Sequence, residues 1–596
     1  MLFRSFAANL RESAMVRVLL EYNANADARD VSGATPLHFA SRDRDTGGPN
    51  IALSLSKVAR LLLDHGAKVN AQTNDDSTPL HEAARVGNVE TMRILLELGA
   101  DLNARKNDDT TLLHEAARGG RIEAIRMLLE IGADVNARTK NDTTPLQAAI
   151  QYASVEAMRM LLAHGADVNA RKNDDTTLLH EAARRGSIEA IRLLLELGPD
   201  VNVRKNDNST PLHEAARGGS VEGIRMLLQL GADINAQKND NTTLLHEAAR
   251  GGSVEVICML LELGAEVDAR KNDNSTPLHE AVGGGRVEAV RMLLELGADV
   301  NARKNNDTTS LHEAARGGSA EAICILLKLG ADVNARKNDD TTPLHEAAGG
   351  GSAEAICMLL KLGADVNARK NDNTTPLHEA AQGGSVEAMR MLIELGADVN
   401  ALKNDNTTLL HEAARGGSVE VIRVLLELGP DVNVQKNDGT TPFHEAARGG
   451  NVEAIRILLK LGADVNVQKN DNTTLLHEAA RSWSVETIRM LLELGADVNA
   501  RTRDDSTPLH VAVRYAGVGA VRMLLAHGAD VNARKNDDST PLHLAAKHGF
   551  IRDTRVLLEH GANVGAKDSR GRTASQVASE KGYDEIMTLL SEYGAT

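Results

Sequence analysis

Between Arg105 and Ala137 the apolar positions fall into two short helical patterns separated by glycine. Thr111 precedes the first and can cap it through its hydroxyl, with Leu112 at the first helical position. Pro holds that position in other copies, at Pro79, Pro145, Pro211 and Pro277, where its missing N–H is not needed. The pattern predicts a first helix over Leu112 to Arg118. Gly120 suits a left-handed cap, and the residue after it is often Ser, as at Ser187, Ser220 and Ser253, a good N-cap for a second helix. Ile122, Ile125, Leu128 and Leu129 then recur at helical spacing, while Glu123, Arg126 and Glu130 take the other face. Gly132 ends this amphipathic helix, and the polar, turn-rich segment after it predicts an extended hairpin.

The same pattern returns every 33 residues. T(P/L)LH or a close variant occurs fifteen times without a slip between His81 and His543, and Gln147 is the one exception at the His position. A fixed period of this length marks a repeat array, in which each unit buries its apolar face by stacking on its neighbours. A rod that recognises other molecules is expected, not a globule that carries out chemistry. The Gly132 position is Gly in seventeen copies from Gly66 to Gly594, and Asn23 holds it in a partial copy before them. From His38 to His81 the spacing is 43, so one repeat carries about ten extra residues, including DRDTGGPN, which are expected to form a loop. The Leu129 position becomes Ser591 in the last copy, as suits a terminal repeat facing water. The chain opens inside a repeat, with apolar Met1, Leu2, Phe3 and Phe6. Two readings fit that opening: a degenerate cap, or the carboxyl-terminal part of something longer.

TPLHxA at Thr78 to Ala83 and Thr210 to Ala215, together with the period and the order of elements, resembles the ankyrin repeat over essentially the whole chain. The resemblance implies an all-α ankyrin-repeat solenoid of stacked helix pairs with projecting β-hairpin fingers, used for protein–protein contact. The expected organisation is a truncated or degenerate repeat at 1–28, a repeat with the insertion at 29–71, fifteen tandem repeats at 72–566 and a capping repeat at 567–596. It implies that the repeated His hydrogen-bonds within and between repeats at the base of the fingers. It also places partner contacts on finger tips and on the exposed end of the first helix: Arg105, Lys106, Asn107, Asp108 and Arg118, then Arg171, Lys172, Asn173, Asp174 and Arg184, and Arg336 and Lys337 further on. These positions hardly vary, since RKND stands at 105, 171, 204, 270, 336, 369 and 534. A periodic partner or recent duplication would each account for that uniformity. Repeated blocks such as LLAHGADVNARKNDD, ending at Asp175 and again at Asp538, speak for duplication. The finger Gly is mostly Asp or Asn, as at Asp109 and Asn208, both of which tolerate the left-handed conformation.

Composition narrows the function. The formal net charge of −16 is about one negative charge per repeat and opposes a nucleic-acid surface, which needs clustered Lys and Arg. No apolar run approaches a membrane span and no signal-peptide pattern opens the chain. A cytoplasmic monomer is expected, with the nucleus as an alternative. Cys258, Cys324 and Cys357 share the Arg126 position, and neighbouring helix axes are too far apart for a disulfide there. HEAAR, as at His114 to Arg118, begins like a zinc-protease helix but never supplies the second His. No catalytic residues, metal or cofactor are expected. Trp483, the only Trp, replaces a Gly120-type cap and is a candidate contact or a drifted cap. Two functions remain: an interaction scaffold for partner proteins, or the recognition region of a longer sensor, kinase or channel.

Overall fold

A computed structural model of the chain describes residues 13–22, 24–42, 49–515 and 517–594. The expectations for Met1, Leu2, Phe3, Phe6, Asn23 and most of the insertion fall outside those residues. Among the described residues there are 35 helices, grouped into two units, Met1–Asp299 and Val300–Thr596. Within each unit the helices come in pairs, and each first helix packs on its own second helix and on the first helix of the next repeat.

The representative pair is Leu112–Arg118 and Ile122–Glu130. Thr111 is extended at φ −98° and ψ 169°, and its hydroxyl lies 2.8 Å from His114 Nδ1, so the turn into the helix is held by side chains three residues apart. Gly120 at φ 64° reverses the chain between the helices and Gly132 at φ 93° ends the pair. Of the serines expected to cap the second helix, Ser220 accepts the Gly223 N–H at 3.2 Å and Ser253 the Val256 N–H at 3.4 Å, while Ser187 makes no side-chain cap bond.

The core lies between the two helix layers. Ala116, Ala117, Ala124, Ile125 and Leu128 are buried, while Glu123, Arg126 and Glu130 are exposed. The alanines let first helices approach closely. The branched side chains behind them supply the larger stabilisation, about 1.5–3 kcal/mol for each fully buried Leu or Ile. The same positions are buried in the second unit, for example Ala347, Ala348, Ile356 and Leu359.

Two local expectations are corrected. The fingers are turns and not two-stranded ladders: among the described residues only two isolated bridges form, Arg303 with Thr309 and Gln468 with Thr474. In a typical finger the Lys106 N–H bonds to the Thr110 carbonyl at 3.0 Å and the Asp109 N–H to the Lys106 carbonyl at 2.9 Å. The arms are too short to add the next rung. Asp109 turns the tip at φ 63° and Asn208 at φ 61°, the left-handed geometry that Gly33 adopts at 78°. The insertion is not wholly a loop either. Its last residues, Pro49 and Asn50, begin a helix that runs to Asp64, 16 residues against nine for Ile122–Glu130. At the other end Ser591 is exposed and donates its hydroxyl to the Met587 carbonyl at 2.9 Å.

Candidate interaction surface

In most of the described repeats the histidine joins one repeat to the next, the exceptions including His81, His378 and His444, whose Nε2 makes no hydrogen bond. His114 Nδ1 accepts the Thr111 N–H at 3.3 Å, which fixes the proton on Nε2, and that nitrogen donates to the Thr143 carbonyl at 2.9 Å in the following finger. The same bridge runs from His180 to the Ser209 carbonyl and from His411 to the Thr440 carbonyl. Burial pushes the His114 imidazole down to about 4, offset in part by the bond to Thr143. Gln147 replaces the ring with an amide that does both jobs, its Oε1 accepting the Thr144 N–H at 2.8 Å and its Nε2 donating to the Ala170 carbonyl at 3.4 Å. Both nitrogens of a ring such as His114 are thus taken up by backbone groups, and the residue serves as a connector.

The finger residues are also occupied within the array. Lys106 Nζ lies 2.9 Å from Glu115 Oε1 and 3.9 Å from Asp75 of the preceding finger, and its side chain is only 16% exposed. Lys172 pairs with Glu181 at 2.6 Å, and Lys337 pairs with Glu346. Asn107 donates its amide to the Asn74 carbonyl at 3.1 Å, and Asn173 reaches the Lys140 carbonyl at 3.4 Å. Arg105 donates forward to the Arg138 carbonyl at 3.1 Å, and Arg336 does the same to the Arg369 carbonyl. Arg171 lies 3.7 Å from Asp175. Burial raises the Asp108 and Asp174 carboxyls, but hydrogen bonding from Thr110 and from Thr176 holds both below the usual carboxylate range. RKND is therefore a stitch between repeats. That structural duty gives a third reason for its uniformity, beside a periodic partner and duplication.

One complete stitch surrounds Glu247, whose side chain is 3% exposed. Lys238 lies 2.7 Å from it and 3.6 Å from Asp207 of the preceding finger, and Arg217 of the preceding first helix approaches it at 4.0 Å. Sequence reading missed this glutamate as the lysine's partner. A partial signal was present: of the three copies with Thr in place of the finger Lys, Thr139 and Thr502 carry Ala148 and Val511 in place of the Glu nine residues on, while Thr73 keeps Glu82.

What remains outward is the end of the first helix. Arg184, Arg217, Arg250 and Arg415 are exposed, one per repeat in the positions equivalent to Arg118. Arg118 itself is half-buried, 3.4 Å from Glu115 and stacked over the Tyr152 ring at 5.9 Å. Trp483 is 58% exposed and takes the cap conformation at φ 59°. Its ring lies against Gly517 of the next repeat, where an added Cβ would stand 3.0 Å from Trp483 Cδ1. Ala153 shares the left-handed cap at φ 56°, while Ala516 lies outside the described residues. The three cysteines are free thiols and half-buried.

No helix among the described residues is long and apolar enough to cross a membrane. No match was found among the curated proteins. The family model described as ankyrin repeats (3 copies) matches in overlapping segments, among them residues 50–139, 169–238, 302–370, 410–502 and 509–596. With the 33-residue period, the paired helices and the histidine bridges, these matches place the chain in the ankyrin-repeat family.

Proposed function

We propose that this chain is an interaction scaffold that binds one or more partner proteins along the outward ends of its first helices and the tips of its fingers. Ankyrin repeats are generally protein–protein interaction modules, and proteins of this kind are typically non-enzymatic. The observation that carries the reading is the division of labour within each repeat. Histidine, finger Lys and buried Glu hold neighbouring repeats together, while Arg184, Arg217 and Arg250 stand exposed at repeat spacing, the last two with only a long approach to Glu247 at 4.0 Å and to Glu280 at 3.7 Å. Binding through groups that are already fixed costs little side-chain ordering, which favours affinity. The proposed protein is a monomer of the cytoplasm, or of the nucleus, with no catalytic role and no nucleic-acid partner.

Of the candidate contact residues, Arg105, Asn107, Asp108, Arg171, Asn173, Asp174, Arg184 and Arg336 are exposed. Lys106, Lys172 and Lys337 sit lower, inside their ion pairs. The test is affinity capture from native lysate with the full chain and with a variant carrying Arg184→Glu, Arg217→Glu and Arg250→Glu, both checked for equal melting. A saturable partner caught by the first and lost by the second supports the reading. Equal capture by both moves the site off these arginines, and no saturable partner at all sinks the scaffold.

A further inference from the structure

The residue after the repeated histidine is Glu in every copy from Glu181 to Glu478, but the last three copies carry Val511, Leu544 and Val577. The finger lysine loses its partner with it. Lys535, nine residues before Leu544, turns to Asp504 of the preceding finger at 3.1 Å. Without the carboxylates the inner face of these repeats opens into a groove of about 560 Å³, with Val511, Leu544 and Val577 on its floor. Arg514 and Lys547 hold the Arg118-equivalent positions on its rim, and in the last copy Glu580 holds that position with Lys581 beside it. Arg514, Lys547 and Lys581 are exposed, and no ion pair holds any of them among the described residues.

The acidic residues of the same groove are committed elsewhere. Asp568 and Glu580 each lie 2.7 Å from Arg572, and Asp537 accepts the Ser539 N–H at 3.1 Å. The rim is electropositive enough to act on its neighbour: the His548 imidazole is pushed down by burial and then by Lys547, Arg514 and Lys581 together. Exposed cations recur at the Arg118 position along the array, as at Arg184 and Arg415, but here no Glu stands at the position after the histidine.

We propose that this groove docks an extended acidic segment of a partner protein, its carboxylates meeting Arg514, Lys547 and Lys581 while interleaved apolar side chains cover Leu544 and Val511. The assignment rests on the scaffold reading above and specifies one site and one ligand chemistry for it. Packed helices lie about 8–10 Å apart, so three repeats span roughly 20–30 Å, the length of about six to nine extended residues. The floor selects the peptide over a nucleic acid: Val511, Leu544 and Val577 are aliphatic, where single strands need stacking surfaces.

The experiment selects a phage-displayed library of random dodecapeptides on the full chain. Recovered peptides are then measured by fluorescence anisotropy against the native protein, the double variant R514E/K547E and the single variant Leu544→Glu. The peptides should be rich in Asp and Glu with apolar residues between them, and both variants should weaken them about tenfold or more. Leu544→Glu restores the Lys535 pairing found in earlier repeats, so its loss of binding is not a loss of fold, as an unchanged or raised melting temperature will confirm. Recovered peptides without acidic bias, binding to R514E/K547E within about twofold of native, or stronger competition by a single-stranded RNA dodecamer overturns the proposal. A lysate partner that depends on Arg184, Arg217 and Arg250 but ignores R514E/K547E would leave the scaffold reading standing and remove this groove alone.

Discussion

The first helices Leu244–Gly251 and Pro541–His548 have the same length, the same Thr cap and the same buried alanines, yet their inner faces differ. In the first, Glu247 is buried beside Lys238 and the face is closed by an ion pair; in the second, Leu544 stands in its place and Lys535 looks to the neighbouring finger. One position per repeat thus sets the character of the inner face while capping and core residues hold the fold unchanged. The array can carry a specialised region without a change of architecture.

The strongest way to break that comparison is to show that the two regions differ in their cores. Leu227→Ala and Leu557→Ala, both at fully buried positions, should each destabilise their repeats by about 2–5 kcal/mol, read as faster hydrogen exchange confined to the mutated repeat and its neighbours. A loss in one region and none in the other would mean that more than the groove position separates them.

Acid should act on both regions alike. Burial holds His213 and His510 down to about 4, below the unfolded value of 6.5. Above 6.5 both states are neutral and the rings bear no proton-linked cost. As pH falls from 6.5 toward 4 the unfolded chain takes up protons that the folded chain refuses, so stability drops through that window. His213→Gln or His510→Gln, which copies the natural Gln147, should lower the midpoint of an acid titration followed by circular dichroism. An unchanged midpoint would remove the histidines as the acid-sensitive groups.

Smaller effects sharpen the picture. Trp483→Gly relieves a left-handed Trp and should stabilise by about 1 kcal/mol in urea unfolding; a net loss would show that the packing on Gly517 outweighs the strain. Leu544→Glu should raise stability by less than about 1 kcal/mol, because the new pair with Lys535 remains partly solvated, and a marked loss would contradict the equivalence of the two inner faces.

Much of this architecture is legible in the residues. Period, capping threonines and apolar spacing place Leu112–Arg118 and Ile122–Glu130 where they are observed, because each signal is local and repeated. The insertion was harder to read, since helical extension from Pro49 needs no apolar signal of its own. Lys106 looked like a surface residue because its partner Glu115 lies across a helix boundary, and the chain must fold back to bring them together. The C-terminal groove shows in the sequence only as three missing glutamates. What those absences open depends on the cations placed around them by the turn of each first helix.

The central claim is that the finger lysines belong to the fold, and a double-mutant cycle on Lys238→Met and Glu247→Gln tests it most directly. The account predicts a coupling free energy of about 1 kcal/mol or more between the two positions, with the double variant less damaged than the sum of the singles. Additive effects, with Lys238→Met costing nothing alone, would show that the lysine is free for partners and would contradict the account.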